Sequence, residues 1–463
     1  MASVNKASLR EEFTALKGQF ERLRAEGKVT EEILALVQAL LMLFELLMAV
    51  FMEKHTAKSS RNSSLPPSQT GKEDDTATQP GTRAKGLGHA HSRSSNTRTV
   101  ETVTILPLDA CAHCGAGLSE LPPKDHERRT RIDIIFETLY SHLDAEIKDC
   151  PHCHRQSKAT FPADLSGPVQ YGPGIRAYVL NLLLAQMLSL KRVQQSIQTL
   201  IGRLISEATL LNYVMQLHRA LAAWEQAAIA QLLCQPALHV DETSLRVDRN
   251  NHWIHVYSAG DITLKVLHRK RGKEAIEAIG IIPRYKGTAI HDCWASYLAY
   301  EHFDHGLCGS HLLRELTFVV ETNGYRWAAN MKRLLKQTCA RVAESQAKCL
   351  PDTDYKNLQK RYRNILTRGE KELPPIPPRQ NGKRGRVAKS DAHNLWERFK
   401  RYERAVLLFA KLPHVPFTNN RAERDLRMSK VKQKVSGCFR TCQYAEAYCR
   451  ISSYLQTMAN RGY

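Results

Sequence analysis

Apolar residues recur every three or four positions near the amino terminus, which predicts an amphipathic helical arm. The first run contains Leu9, Phe13, Leu16, Phe20 and Leu23, and the second contains Ile33, Leu36, Leu40, Leu43, Leu47 and Val50. This heptad seam, interrupted once at Gly27, predicts a coiled-coil helix that pairs with another chain or a helix buried in a core. Because only Gln38 and Glu45 interrupt residues 33–52, a membrane span is the alternative, although a glutamate inside a bilayer is costly.

The centre of the chain has a different periodicity. Residues 238–247, 253–258 and 262–268 are short runs rich in β-branched and aromatic side chains, separated by turn signals. They predict an antiparallel meander of three strands. Residues 272–282 predict a helix, and a fourth strand then leads to Asp292.

A helix between the third and fourth strands makes the fourth strand parallel to the first. Asp241 and Asp292 then lie toward the same end of neighbouring strands, which are about 4.8 Å apart. Carboxylates this close repel one another unless a cation lies between them, and hard oxygen ligands favour Mg²⁺ or Mn²⁺. The pair predicts half of a nuclease-type two-metal site. For each aspartate taken alone, a turn or capping role is the alternative.

Composition and charge limit the class of protein. The formal net charge is +21 and the pI is near 9.5, with 43% hydrophobic residues. A chain that is both foldable and strongly basic predicts a polyanionic partner, either nucleic acid or an anionic membrane surface. The first residues lack the pattern of a secretory signal, and the twelve cysteines therefore indicate reduced thiols in a cytosol.

Two Cys-x-x-Cys pairs predict a structural zinc site. Their residues are Cys111, Cys114, Cys150 and Cys153. Four thiolates can surround Zn²⁺ in a tetrahedron. Residues 131–147 between the pairs predict the strand and turn of a zinc ribbon. Neighbouring histidines could replace a thiolate, and a redox pair or unligated thiols are the alternatives.

Two further segments predict contact with DNA. Residues 193–205 and 209–221 flank a short break at 206–208, which indicates a helix-turn-helix or, alternatively, a helical support for the sheet. Residues 321–371 predict helices interrupted at Pro351 and Gly369. The basic loop that follows, with Lys383, Arg384 and Arg386, suits phosphate contact without base recognition.

A block near the carboxyl terminus offers a third carboxylate. Asn420 is a suitable N-cap and Glu423 stands three residues later, so Glu423 either closes a capping box or binds metal. Under the second interpretation, Arg421, Arg424 and Arg427 would neutralise phosphates beside it. The residues alone leave both interpretations open.

Several motifs together resemble those of the bacterial insertion sequence 66 family of transposases, along nearly the entire chain. Besides the leucine-rich helix, they are Asn62-Ser63-Ser64-Leu65-Pro66-Pro67-Ser68, the two Cys-x-x-Cys pairs, Asp241-Glu242-Thr243, Asp292, Cys308-x-x-His311-x-x-Arg314, Asn419-Asn420-x-Ala422-Glu423-Arg424-x-Leu426-Arg427 and Lys432-Gln433-Lys434-Val435-Ser436-Gly437. The Asn-Asn-x-Ala-Glu-Arg block is the most specific of them. One departure is Thr418, where such proteins commonly have an aspartate.

The resemblance implies a multidomain α/β protein with a ribonuclease H-like core, a mixed sheet flanked by helices. It implies a catalytic triad of Asp241, Asp292 and Glu423 that holds two Mg²⁺ or Mn²⁺ ions. The expected activity is cleavage at the terminal inverted repeats of an insertion sequence and strand transfer into target DNA. Expected partners are DNA, a second copy of the chain and accessory proteins of the element, in the cytoplasm at the nucleoid. A non-catalytic, zinc-containing DNA-binding regulator is the main alternative, and a host nuclease is another.

The expected domain organisation follows from these segments. It consists of a helical oligomerisation arm at 1–57, a flexible linker at 58–100, a zinc-binding module at 101–165, a helical segment at 172–235, a catalytic core at 236–320 and 412–463, and a helical insertion with the basic loop at 321–411.

Overall fold

The structure, a computed structural model, describes residues 6–26, 31–54, 62, 103–131, 137–165, 167–376 and 389–463. These residues form two compact units. One comprises Met1–Glu73 with Ala159–Tyr463, and the other comprises Asp74–Lys158. Lys383, Arg384 and Arg386 of the predicted basic loop lie outside the described residues, as does almost all of the predicted linker.

The smaller unit contains a two-stranded antiparallel hairpin, β1 (Ile147–Asp149) and β2 (Gln156–Lys158). The prediction of strand and turn over residues 131–147 was wrong in its extent, because residues 137–146 contain no strand and β1 begins only at Ile147. Side chains in that stretch are mostly exposed, including Leu139 at 91%. No buried apolar face is therefore present to stabilise a strand there.

The larger unit begins with the predicted helical arm. It contains α1 (Lys6–Ala25) and α2 (Glu31–Lys54). The two helices contact one another through the rings of Phe13 and Phe44, whose centroids are 5.0 Å apart, and through an ion pair between Lys17 and Glu45. Within α2, Ile33–Phe51 is long and apolar enough to cross a membrane by length and composition, and only 11% of that stretch is buried.

Four helices precede the sheet. They are α3 (Pro173–Leu180), which continues into a π-helical turn at Asn181–Ala185, α4 (Leu190–Ile201), α5 (Glu207–Ala220) and α6 (Ala222–Leu233). The break between α4 and α5 lies earlier than predicted, because Gly202 ends α4 in the left-handed conformation with φ 68°. Ser206 then caps α5 by accepting the Thr209 N–H at 3.1 Å.

The central sheet confirms the predicted meander and crossover. Its strands are β3 (Ala237–Val247), β4 (Asn250–Ala259), β5 (Ile262–His268), β6 (Thr288–His291) and β7 (Asp304–Leu307), in the order β5-β4-β3-β6-β7. The first three strands are antiparallel, whereas β6 is parallel to β3 and β7 is parallel to β6. The crossover helix α7 (Lys273–Ile279) is shorter than predicted, because Gly280 ends it with φ 71°. A short helix α8 (Ala295–Leu298) follows β6.

Helices cover both faces of the sheet. The remaining helices are α9 (Gly309–Asn323), α10 (Arg326–Glu344), α11 (Asp352–Glu370), α12 (Asp391–Arg401), α13 (Glu403–Lys411), α14 (Asn420–Ser436) and α15 (Cys442–Asn460). One face of β3, with Leu245 and Val247, packs in a core with α3, α4, α5, α14 and α15. The opposite face, with Leu238 and Val240, packs against α6 and α7. Alternation along β3 therefore assigns each of its side chains to one helical layer.

Helices α10 to α13 form the insertion between β7 and α14. Gly369 does not interrupt the helical stretch as predicted but lies within α11. A Cβ atom at this position would come within 2.6 Å of the buried Trp327 side chain, so the glycine permits close packing of α10 against α11. The carboxylate of Glu53, at the end of α2, accepts the backbone N–H groups of Asp391 and Ala392 and caps α12.

Candidate active site

Asp241 and Asp292 occupy matching positions on adjacent parallel strands. In the pairing of β3 with β6, Ala237 lies opposite Thr288 and His239 lies opposite Ile290. Continued along both strands, this register places Asp241 beside Asp292, which directly follows β6. Each aspartate accepts the backbone N–H of a residue just after it through one carboxylate oxygen, at 2.8 and 3.1 Å.

The charges at this edge of the sheet strongly influence one another. Burial raises the pKa of Asp241 well above its usual value, and the charges of Glu242 and Asp292 raise it further. Burial and the charge of Asp292 likewise raise the pKa of Glu242 to about 7, although Arg271 opposes them. The carboxyl groups therefore lie within electrostatic range, and a divalent cation bound by oxygen atoms would relieve their repulsion.

Glu242 already has a positive partner on the opposite face of the sheet. The Arg271 guanidinium donates two hydrogen bonds to Glu242 Oε1 at 2.8 and 2.6 Å, and the Tyr297 hydroxyl donates to Oε2 at 2.9 Å. Arg271 also lies over the rings of Trp253 and Trp294, at 5.1 and 4.3 Å from their centroids. Glu242 is thus neutralised within the protein, which distinguishes it from its neighbour in the chain.

Glu423 lies in the first turns of α14, and it does not close a capping box. The N-cap is Asn419 rather than Asn420, so Glu423 is the fourth residue of the helix and not the third. The Asn419 backbone N–H, which a capping box would use, donates instead to Cys308 Sγ at 3.2 Å. This removes the structural alternative left open by the sequence, and the Glu423 carboxylate is directed elsewhere.

Two basic side chains from α9 approach the Glu423 carboxylate. His311 Nδ1 lies 3.6 Å from Oε1, and an Arg314 guanidinium nitrogen lies 3.9 Å from Oε2. Neither His311 Nδ1 nor Glu423 Oε1 has a hydrogen-bond partner. Among the described residues, Cys308, His311 and Glu423 are the one group of three potential metal ligands whose ligand atoms lie within 4.8 Å of one another. A sulfur donor is poorly suited to Mg²⁺, so this group is chemically distinct from a site formed by carboxylates alone.

His311 is surrounded by negative charge. Burial would lower its pKa, but a hydrogen bond that the imidazolium donates to the Cys308 sulfur and the charges of Cys308, Glu423 and Asp292 outweigh burial and raise the pKa of His311 to about 9. The charge of His311 in turn acts to lower the pKa of Asp241. The charge of His311 thus interacts with those of Asp241, Asp292 and Glu423, but among the described residues these three carboxylates do not form a group whose ligand atoms all lie within 4.8 Å of one another.

The family model for the transposase IS66 family matches residues 168–447, more than half of the chain. The chain belongs to the IS66 family of transposases. No match to a curated protein accompanies it. The matched residues include the whole sheet, the insertion and α14, and hence every carboxylate described above. Membership supports a transposase-related function, DNA binding and dependence on a divalent metal.

The three arginines predicted to contact phosphate have different environments in this IS66 family protein. Arg421 is engaged in the fold, because its guanidinium donates to the carbonyls of Gly260 and Ile262 in the turn between β4 and β5. Arg424 and Arg427 are exposed on α14. Of the three arginines, Arg424 and Arg427 are therefore the two that present their charge to solvent.

The two cysteine pairs of the smaller unit form matching turns. In the first turn, the Cys111 N–H donates to Ala116 O at 2.8 Å; in the second, the Cys150 N–H donates to Arg155 O at 3.0 Å. The fifth residue of each turn has positive φ, 75° at Gly115 and 52° at His154. Backbone hydrogen bonds within each turn lower the pKa of Cys111 and Cys150. Each pair therefore has the form of a turn that offers two thiolates to a metal ion. Among the described residues, however, the four sulfur atoms do not form a cluster of metal ligands.

Sequence reasoning missed several residues that shape the site. The Cys308-x-x-His311 pair at a helix start was considered as a metal-binding pair or, preferably, as a pair that packs or orients the strand end, whereas Arg314 was noted only as part of a family motif and Arg271 was not noted at all. Their spacing carried a weak signal, since Cys-x-x-His at a helix start brings two polar side chains onto one face. The carboxylates that act on His311, Arg314 and Arg271 lie on β3, at the end of β6 and on α14, and no local sequence pattern reveals that these elements meet.

Asp292→Asn tests the electrostatic repulsion directly. The folded-state pKa of Glu242, about 7, exceeds its ordinary value of 4.5, so the metal-free protein loses stability as the pH rises from about 4.5 through about 7. Removing the charge of Asp292 reduces this loss. At pH 8 in EDTA we expect the variant to be more stable by about 1 kcal/mol, or roughly 2–4 °C in Tm, with the difference disappearing near pH 4.

The matched control is Asp248→Asn, which removes one negative charge in the exposed turn between β3 and β4. Its Tm in EDTA should equal that of the wild type across the same pH range. An Asp292→Asn protein that is no more stable than wild type at pH 8 would contradict the repulsion.

Proposed function

We propose that this IS66 family protein is an active transposase that cuts DNA at the ends of its insertion sequence and joins those ends to target DNA. The observations that support this most directly are the strand register, which brings Asp241 beside Asp292, and the position of Glu423 in the first turns of α14 against His311. The strand order and the crossover are compatible with the ribonuclease H-like core that the resemblance implies. Carboxylates from two adjacent strands and a later helix form the site in this proposal.

The donor set suits divalent cations of the Mg²⁺ or Mn²⁺ type. Asp241 would contribute to both ions, Asp292 to one and Glu423 to the other. Bound ions supply charge that neutralises the scissile phosphate and favours the ionised forms of the attacking and leaving oxygens. The protein holds the carboxylates in place and offsets their charge, with Arg271 on Glu242 and with His311 and Arg314 on Glu423. In-line displacement at phosphorus then needs no covalent enzyme intermediate.

The DNA itself would follow the basic surface. Exposed Arg424 and Arg427 adjoin Glu423 on α14, and the chain carries a formal charge of +21. Phosphate contacts of this kind supply affinity and orientation without reading sequence. Lys383, Arg384 and Arg386 are proposed to add contacts from the basic loop. The predicted helix-turn-helix remains a prediction, and α5 uses Leu210 and Val214 to pack in the same core as α15.

Asp241→Asn tests the activity. With labelled terminal-repeat DNA and Mg²⁺, we expect the variant to lose cleavage and strand transfer by roughly 10²–10³-fold or more, because a charge-stabilising ligand is removed. Binding of the same DNA at fixed salt should change little. Glu423→Gln should behave alike, and Asp248→Asn is the control that should retain activity. Cleavage by Asp241→Asn at the wild-type rate would refute the carboxylate site, and a wild type that binds the ends but never cuts them would support the non-catalytic regulator.

We further propose that the two cysteine pairs bind one structural Zn²⁺. The matching turns and the lowered pKa values of Cys111 and Cys150 favour thiolate ligands. Purified protein should contain about one zinc ion per chain. Cys111→Ser combined with Cys150→Ser should abolish that zinc, whereas Cys438→Ser, at an exposed cysteine outside the pairs, should retain it. Wild-type protein from zinc-supplied cells that contains no zinc would rule the proposal out.

The exposed seam of α2 is proposed to pair with the same helix of a second copy. Leu36, Leu40 and Leu47 are 64%, 58% and 63% exposed and follow the heptad spacing of a coiled coil. A bilayer is a poorer occupant, because Ala49 and Glu53 near the end of α2 are already buried within the unit.

Leu40→Glu combined with Leu47→Glu should convert the dimer to a monomer in sedimentation equilibrium, because two charges would then face their counterparts across the seam. Gln38→Glu, at an exposed position off the seam, should leave the dimer intact. A wild type that sediments as a monomer without detergent at micromolar concentration would contradict the pairing.

A further inference from the structure

Asn419 is bonded to the strand that carries Asp241. Its Nδ2 donates to Val240 O at 2.8 Å, and its Oδ1 lies 2.9 Å from His239 Nδ1. Asn419 is 2% exposed, so water does not compete for these bonds. Since Val240 directly precedes Asp241, the side chain of Asn419 attaches the start of α14 to the backbone next to the first carboxylate.

Cys308 connects the start of α14 to the strand that leads to Asp292. The Cys308 N–H donates to His291 O at 2.9 Å, and Cys308 Sγ accepts the Asn419 N–H at 3.2 Å. His291 directly precedes Asp292. The following residue, Gly309, donates its N–H to Phe417 O at 2.8 Å and contacts the Phe417 ring so closely that a Cβ atom would lie 2.3 Å away. The segment before α14 is therefore pressed against the end of β7.

The contacts of Asn419 and Cys308 with the two strands form a joint at the start of α14. The third carboxylate, that of Glu423, is attached to this joint through α14 itself. The Asn419 carbonyl accepts the Glu423 N–H at 3.3 Å in the first turn of α14. Asp241 and Asp292 are thus one residue from a backbone group bound by Asn419 or Cys308, and Glu423 is one helical turn away. Other contacts anchor the rest of α14, including Asp425, which accepts the hydroxyls of Ser258 and Thr263 at 2.6 and 2.7 Å.

We propose that Asn419 and Cys308 are positioning residues that fix the mutual placement of the three carboxylates before cation or DNA binds. This inference rests on the proposed function. Asp241 and Asp292 repel one another, and the joint holds the backbone next to each of them together with the start of the helix that carries Glu423. Loss of the joint would free the first turn of α14 while Asp425 still holds the helix on the sheet. Cation binding would then have to reorder the site.

The test compares Asn419→Ala with Thr263→Val. Asn419→Ala removes the side-chain hydrogen bonds with His239 and Val240. Thr263→Val removes one buried hydrogen bond, to Asp425 on the part of the helix beyond Glu423. Three quantities are measured on the full chain: the Mn²⁺ concentration for half-maximal cleavage of labelled end DNA, the rise in Tm produced by Ca²⁺, and the Tm in EDTA. Ca²⁺ reports cation binding without requiring the reaction to proceed.

We expect Asn419→Ala to raise the half-saturating Mn²⁺ concentration by at least about tenfold and to reduce the Ca²⁺-induced rise in Tm, with much of the cleavage rate recovered at high Mn²⁺. Thr263→Val should lower the Tm in EDTA and leave both cation responses at wild-type values. Cys308→Ser retains an acceptor for the Asn419 N–H, so its Mn²⁺ requirement should lie between those of the wild type and Cys308→Ala.

An Asn419→Ala protein whose Mn²⁺ requirement equals that of Thr263→Val would overturn the positioning role. If Asn419→Ala does not fold, the two Cys308 variants decide the matter, and equal Mn²⁺ requirements for serine and alanine would overturn it. A wild type that neither cleaves nor gains an Asp241-dependent rise in Tm with Ca²⁺ would overturn the proposed function, and the positioning role would fall with it.

Discussion

Repulsion between carboxylates at the edge of the sheet is the constraint to which the surrounding structure responds. Asp241 and Asp292 are placed together by strand register, and Glu242 adds a third charge next to them. Backbone hydrogen bonds between β3 and β6 keep these strands paired although the side chains at their ends repel one another. Such an arrangement sacrifices stability at the point where the proposed cation would bind, which is typical of functional sites.

The protein offsets this charge selectively. Glu242 receives a complete partner in Arg271, which is held between two tryptophan rings. Glu423 receives only a long contact with His311 and another with Arg314, at 3.6 and 3.9 Å. A short, geometrically ideal ion pair would compete with a cation, whereas these longer contacts reduce the charge and leave the carboxylate oxygens available. The difference in distance therefore separates a structural acid from one suited to bind a ligand.

Local patterns were sufficient to predict four of the five strands, all except β7, but not the completed site. The three antiparallel strands, the crossover and the alignment of Asp241 with Asp292 follow from period-two hydrophobicity, turn residues and the rule for parallel strands. The structural role of Glu423 could not be decided from its neighbours. That decision depends on where the Asn419 backbone N–H bonds, and its partner Cys308 is 111 residues away. Gly369 shows the same limitation, because a helix breaker by propensity becomes a packing position once Trp327 lies against it.

The order of these elements along the chain also has a consequence for biosynthesis. All five strands of the sheet precede the insertion, and α14 follows it. A nascent chain that has left the ribosome as far as α13 can pair its strands, yet it lacks the last carboxylate and the asparagine that holds it. Translation must therefore pass the whole insertion before the proposed site is complete, and until then one face of the sheet also lacks the covering helices α14 and α15.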